Sequence, residues 1–150
     1  MMRIFELLTL DTTFSQVDCT SKKSALEKIS KIAAEKLNTD AQALFNNLIA
    51  REKIGSTGVG NGIAIPHVKI ESSLTASAVF LQCGTPIDYD SFDGNKVDIL
   101  FAIFVPEDAC DEYLVALSEI SKKLLDKPFL KQLRNAETDL QLFKLLQNAR

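Results

Sequence analysis

Apolar positions along this chain follow two rhythms, and the change between them divides it into three stretches. Residues 1–20 are mixed, with Phe14-Ser15-Gln16-Val17 alternating as a short strand would. Thr20 or Ser21 then stands as a helix N-cap. Leu26, Ile29, Ala33 and Leu37 follow at helical spacing, with lysines on the other face. Asn38-Thr39-Asp40 resets the chain, and Ala41, Leu44, Phe45, Leu48 and Ile49 trace a second helical stripe that should stop before Gly55. Strands are expected next: a short one over Gly62 to Pro66, and another over Ala76 to Leu81. Gly84, Pro86 and the acidic stretch Asp88 to Gly94 should break the second. Val97 to Val105 is almost unbroken in apolar character, as in a strand covered on both faces, and Pro106 ends it. Asp108 is the expected cap of a third long helix. Asp111 and Glu112 fall in its first turn, and its core face is Leu114, Leu117, Ile120 or Ser121, and Leu124. Pro128 opens a short helix, and Leu140, Phe143 and Leu146 suggest a last one. Two helices, a strand-rich middle and two or three further helices predict one α/β domain: a central mixed β-sheet flanked by helices.

The chain is long enough for one domain with a proper core, and its core is expected over about residues 5–148. A net charge of -3 gives no basic field for a phosphate backbone, which argues against nucleic acid as the main partner. The lysines at 22, 23, 28, 31, 36, 122, 123, 127 and 131 read as solvated helix faces. Cys19, Cys83 and Cys110 are odd in number and widely spaced, and only one histidine exists, so no zinc pattern forms. Reduced thiols in a cytoplasmic protein follow, with Cys110 read as structural. No apolar run reaches membrane-spanning length, and the start, Met1-Met2-Arg3-Ile4-Phe5-Glu6, turns acidic too soon for a signal peptide.

The lone histidine, His67, closes the densest glycine run in the chain, which holds Gly55, Gly58, Gly60 and Gly62. A P-loop needs Lys and Ser/Thr where Asn61-Gly62 stands, and a dinucleotide fingerprint needs a strand-to-helix setting. Here the run follows a helix and precedes a strand, so both nucleotide readings fail. Another use remains. Glycines such as Gly58 let backbone N–H groups approach an anion, and Ser56, Thr57 and Asn61 add side-chain donors. An imidazole with an ordinary pKa of about 6.5 is largely neutral, hence nucleophilic, in the cell and can accept a phosphoryl group. The plainer alternative is a tight loop whose histidine only packs or caps.

Arg51-Glu52-Lys53-Ile54-Gly55-Ser56-Thr57-Gly58-Val59-Gly60-Asn61-Gly62-Ile63-Ala64-Ile65-Pro66-His67 closely resembles the signature of bacterial phosphotransferase-system enzyme IIA proteins of the fructose/mannitol type, above all their nitrogen-regulatory branch. Weaker similarity covers Ser21 to Glu27, Thr85-Pro86-Ile87, Val97 to Ala102 and Val105-Pro106. The resemblance implies the IIA type 2, mannitol-IIA-like fold and no metal or organic cofactor. It implies that His67 takes a phosphoryl group from phosphohistidine on HPr or its nitrogen-branch homologue, as one component of a phosphotransferase rather than a complete sugar kinase. In the nitrogen branch the phosphorylation state then signals to targets such as potassium transport and sensor proteins. In sugar-transporting members the group passes to a IIB cysteine. The absence of a fused transporter segment favours the regulatory branch.

Arg51 ends the second helix, where a cation complements the helix C-terminus or a guanidinium fork meets phosphoryl oxygens. The family motif also carries arginine there, which favours the second role. Family members keep a second histidine early in the helix after the Val-Pro strand end. Tyr113 stands at that position here, a hydrogen-bond donor but not a cation near pH 7. Val68 stands where glycine commonly follows the motif histidine, a change that narrows the site or stiffens the strand exit. Glu107, Asp108, Asp111 and Glu112 are either helix-start chemistry or a docking edge for a donor with basic residues around its own histidine. A module that binds partners without being phosphorylated is the remaining alternative.

Overall fold

The computed structural model describes residues 4–149, leaving aside the side chains of Ile4, Cys110, Leu114 and Ala116. The expected core role of Leu114 and the environment of the Cys110 thiol therefore lie outside the described residues. After short 3-10 turns, strand β1 (Thr13–Val17) leads to helix α1 (Lys22–Leu37). Ser21 caps α1 by accepting the Ser24 N–H at 3.1 Å. Asn38, in the left-handed region at φ 55°, ends α1, and Asp40 caps α2 (Ala41–Ile54) by accepting the Ala43 N–H.

Three short strands follow: β2 (Gly58–Gly60), β3 (Ile63–Ala64) and β4 (His67–Ile70). The strand expected over Gly62 to Pro66 is thus shortened to Ile63–Ala64, and a separate strand starts at His67. Proline has no N–H for a ladder, and the Ile65 N–H turns away to the Thr57 carbonyl at 3.0 Å. The register survives the break, because Ile63 lies opposite Ile99 and His67 opposite Ile103. His67 opens β4 instead of closing the strand before it.

Strand β5 (Ser77–Ile87) runs through Gly84 and Pro86, where a break was expected. Its pairing with β6 (Val97–Pro106) is irregular between Gln82 and Ile87, and that irregularity accommodates the proline. β6 is the central strand. It pairs antiparallel with β5 and parallel with both β3 and β4. The sheet order is β1-β5-β6-β3-β2, with β4 also beside β6, so parallel and antiparallel pairs are mixed.

Helices α3 (Cys110–Leu124), α4 (Lys127–Asn135) and α5 (Asp139–Gln147) complete the chain. Asp108 is not the cap of α3. It lies within a 3-10 turn, Glu107–Ala109, and Ala109 precedes α3 without a side-chain cap. In α5 the buried residues are Leu142 and Leu146, whereas Leu140 is exposed.

Alternation along β5 and β6 builds two cores. Ala78, Phe80, Ile99, Phe101, Ile103 and Val105 face α3, α4 and α5, joined by Leu124, Leu133 and Leu142. Val79, Leu81, Leu100, Ala102 and Phe104 face α1 and α2, joined by Leu26, Ile29, Leu44 and Leu48. This second core also brings together two cysteines remote in sequence, Cys19 and Cys83. Their mutual hydrogen bond and burial push the Cys83 thiol above the ordinary range, which keeps it protonated. No helix among the described residues is long and apolar enough to cross a membrane.

Candidate functional site

β4 pairs with β6 along one edge, and among the described residues no strand pairs with its other edge. α2 approaches this open edge from one face of the sheet and α3 from the other. Between them lies a cleft of about 600 Å³, bordered by Arg51 and Ile54 of α2, His67 of β4, and Tyr113 and Leu117 of α3. The fold therefore gathers three residues distant in sequence, Arg51, His67 and Tyr113, around one opening.

His67 is half-buried, and its Nδ1 lies 2.8 Å from the Ile65 carbonyl oxygen. A carbonyl can only accept, so in the neutral ring Nδ1 is the protonated nitrogen and Nε2 keeps the lone pair. One imidazole edge is thereby fixed and the other is nucleophilic. Arg51 donates from Nη1 to the Gly55 carbonyl at 2.9 Å, which closes the last turn of its own helix. A guanidinium has five N–H donors, so this bond leaves others for a ligand in the cleft. Both expected roles of Arg51 are compatible with this placement.

Tyr113 is only 8% exposed. Burial, aided by the neighbouring Glu112 carboxylate, pushes its phenol above the ordinary range, so the hydroxyl stays a donor. Val68 borders the cleft and is anchored opposite Phe104 in the β4–β6 ladder. Of the acidic residues near α3, Glu107 and Asp111 line the cleft. Ile54 stands 84% exposed at the same opening.

The residues expected to cradle a phosphate are placed differently. Ser56, Thr57, Gly58 and Asn61 do not border this cleft. Ser56 donates to the Tyr89 carbonyl and accepts the Gly58 N–H. Thr57 is buried, and both its N–H and its hydroxyl donate to the Glu52 carboxylate. Asn61 and Gly62, at φ 58° and 81°, form the two-residue turn between β2 and β3. Asp93 accepts the Asn61 N–H, and Arg134 donates to the Asn61 carbonyl while forking onto Asp98. At φ 81° a side chain on Gly62 would be strained, and a Cβ would also stand 2.6 Å from the Arg134 Nη2, so glycine is favoured there. The glycine run thus frames the site instead of lining it. The Asn-Gly pair before an apolar strand is a hairpin signal legible in the sequence.

Two residues beside the site, Glu52 and Tyr89, were not singled out from sequence, and a third, Lys22, was expected on a solvated helix face. Glu52, 5% exposed, pairs with Lys22 at 2.9 Å. Lys22 is therefore not a solvated lysine. Its ammonium also lies 4.5 Å from the centre of the Tyr89 ring. Tyr89 is buried, with its hydroxyl 3.1 Å from that of Thr57. No local pattern marks this group, because its members come from α1, α2 and the loop after β5.

Comparison with known proteins gives a consistent set of likenesses. The chain matches the model of the phosphoenolpyruvate-dependent sugar phosphotransferase system EIIA 2 family over residues 6–149. It is 45% identical to a nitrogen regulatory protein of Klebsiella oxytoca, over 99% of this chain and 92% of that relative. The crystal structure of nitrogen regulatory protein IIA-Ntr from Neisseria meningitidis superposes with a TM-score of 0.88 at 30% identity, covering 95% of this chain and 98% of that one. IIA mannitol from Escherichia coli shares the fold, with a TM-score of 0.77 at 15% identity over 93% of this chain and 98% of its own.

Proposed function

The chain belongs to the phosphoenolpyruvate-dependent sugar phosphotransferase system EIIA 2 family, and on that premise we propose that it is a phosphohistidine carrier of the nitrogen-regulatory branch. His67 is the acceptor, and an HPr-type phosphohistidine protein is the donor. The observation that carries this reading is the 2.8 Å contact from His67 Nδ1 to the Ile65 carbonyl, at the border of an open cleft. It leaves Nε2 as the nucleophile.

In the transfer, the Nε2 lone pair attacks the donor's phosphorus in line. The new N–P bond forms as the donor's P–N bond breaks, and that electron pair returns to the donor imidazole. The His67 ring becomes cationic, and the Ile65 carbonyl stabilises it by accepting from Nδ1. Arg51 offers its remaining N–H groups to the phosphoryl oxygens, and the Tyr113 hydroxyl offers a neutral donor in place of a second histidine. The exposed Ile54 beside Glu107 and Asp111 suits a donor surface that is apolar with basic residues around it. The phosphorylation state then governs contacts with regulatory targets such as potassium-transport or sensor proteins.

Incubation with enzyme I, phosphoenolpyruvate and an HPr-type carrier tests the reading. One acid-labile phosphoryl group per chain is expected, and none on His67→Ala. A fully labelled alanine variant would sink His67 as the acceptor, and an unlabelled wild type would favour a binding module. Onward transfer to a IIB cysteine would move the protein to sugar uptake.

A further inference from the structure

Resting on His67 as acceptor, we propose that Glu52 is a positioning residue which, through Thr57, sets the tautomer and orientation of the His67 ring. A continuous hydrogen-bonded path connects them. The Thr57 N–H donates to Glu52 Oε1 at 3.0 Å, and the Thr57 hydroxyl donates to Oε2. The Thr57 carbonyl accepts the Ile65 N–H at 3.0 Å, and the Ile65 carbonyl accepts from His67 Nδ1 at 2.8 Å. Ile65, the residue whose carbonyl orients the imidazole, is therefore pinned through its own N–H by the residue that Glu52 clasps.

The backbone of the same residue, not its carboxylate, is linked to Arg51 by a shorter route. The Gly55 N–H donates to the Glu52 carbonyl, and Arg51 donates to the Gly55 carbonyl. One residue thus ties the final turn of α2 to the strand break at Ile65-Pro66.

A carboxylate only 5% exposed is costly to bury unless its oxygens are matched. Here they are matched. Lys22 supplies the charge at 2.9 Å, Thr57 supplies two donors, and the Tyr89 hydroxyl completes the Thr57 oxygen at 3.1 Å. The clasp has no outlet to the cleft, since Glu52, Thr57 and Tyr89 do not border it. It therefore acts on His67 through Thr57 and Ile65, and not on the phosphoryl group itself. A group held this way keeps the ring aligned for in-line attack, where misplacement costs rate and not donor affinity.

The chain has one histidine, so its imidazole 15N resonances read the tautomer without ambiguity. The experiment compares wild type, Thr57→Val, Thr57→Ser and Lys22→Met by long-range 1H–15N spectra of the unphosphorylated proteins. Phosphoryl acceptance from the HPr-type carrier is measured alongside. Thr57→Val is expected to lower the Nδ1–H population and to reduce kcat by about tenfold to a hundredfold with KM for the donor unchanged. Thr57→Ser, which keeps the hydroxyl, should restore both. If Thr57→Val does not fold, Lys22→Met reads the same brace from its other end. A folded Thr57→Val or Lys22→Met with the wild-type tautomer and kcat overturns the proposal. A wild type that takes no phosphoryl group, yet whose tautomer shifts in Thr57→Val, keeps the brace and removes the carrier reading.

Discussion

Tyr113, which the resemblance places where the family is expected to keep a second histidine, sets a limit on the chemistry proposed for the site. A phenol held protonated by burial donates one hydrogen bond and carries no charge. Tyr113→Phe should therefore slow phosphoryl acceptance by roughly fivefold, the weight of one neutral hydrogen bond of about 1 kcal/mol. Single-turnover kinetics checks this, and a rate equal to wild type would remove Tyr113 from the site. Tyr89 makes a different prediction. Burial, and then the Glu52 carboxylate, push its phenol far above its ordinary 10.0. The folded protein thus holds a proton that the unfolded chain releases near pH 10. Stability from this group is full below that pH and falls as the pH rises further. Urea unfolding at pH 9 to 11 should show this decline, with a shallower slope in Tyr89→Phe, although Cys83 adds an alkaline slope of its own. An identical slope in Tyr89→Phe would contradict the burial argument.

Among the elements, the hairpin from β2 to β3 has a glycine that is favoured and, just before it, one that is not. Gly62 sits at φ 81° with Arg134 and Asp98 against the place of a Cβ. Gly62→Ala should cost about 1–3 kcal/mol in urea unfolding. Gly55 is extended at φ 167° with nothing within 4 Å of an added Cβ. Gly55→Ala should be neutral or stabilise by up to about 1 kcal/mol. Equal losses in the two variants would refute this distinction. The helices were legible because their stripes and caps are local: Ser21, Asp40 and Pro128 each stand where the chain enters a helix. Strand ends were less so. Pro66 and Pro86 look alike as breakers, yet one lies between two separate strands and the other is absorbed by an irregular pairing, a difference set by the neighbouring strand. The site was half legible. Arg51, His67 and Tyr113 do share a cleft, but Ser56, Thr57, Gly58 and Asn61 turn inward to the frame. Donors near a histidine in sequence need not face it, because the Asn61-Gly62 turn redirects the chain.

At the scale of the whole molecule, one sheet separates two cores that share β5 and β6. Neither core persists without those strands, so unfolding should be a single transition. The two tyrosines report on opposite faces: Tyr89 belongs to the α1–α2 side and Tyr113 to the α3 side. Tyrosine fluorescence of Tyr89→Phe and of Tyr113→Phe should therefore each coincide with the far-ultraviolet transition of the same variant, and a separated midpoint would show independent halves. Leu26→Ala and Leu142→Ala, one in each core and both fully buried, should each cost about 2–5 kcal/mol and lower that single midpoint. The same architecture gives the site its logic, since α2 and α3 leave a cleft beside the strand edge that carries His67. The most direct measurement is the 15N and 31P spectrum of histidine-labelled protein after transfer from an HPr-type carrier. Phosphorus bonded to Nε2 of His67, with Nδ1 still protonated, is the expected result; phosphorus on Nδ1, or none on His67, would contradict it.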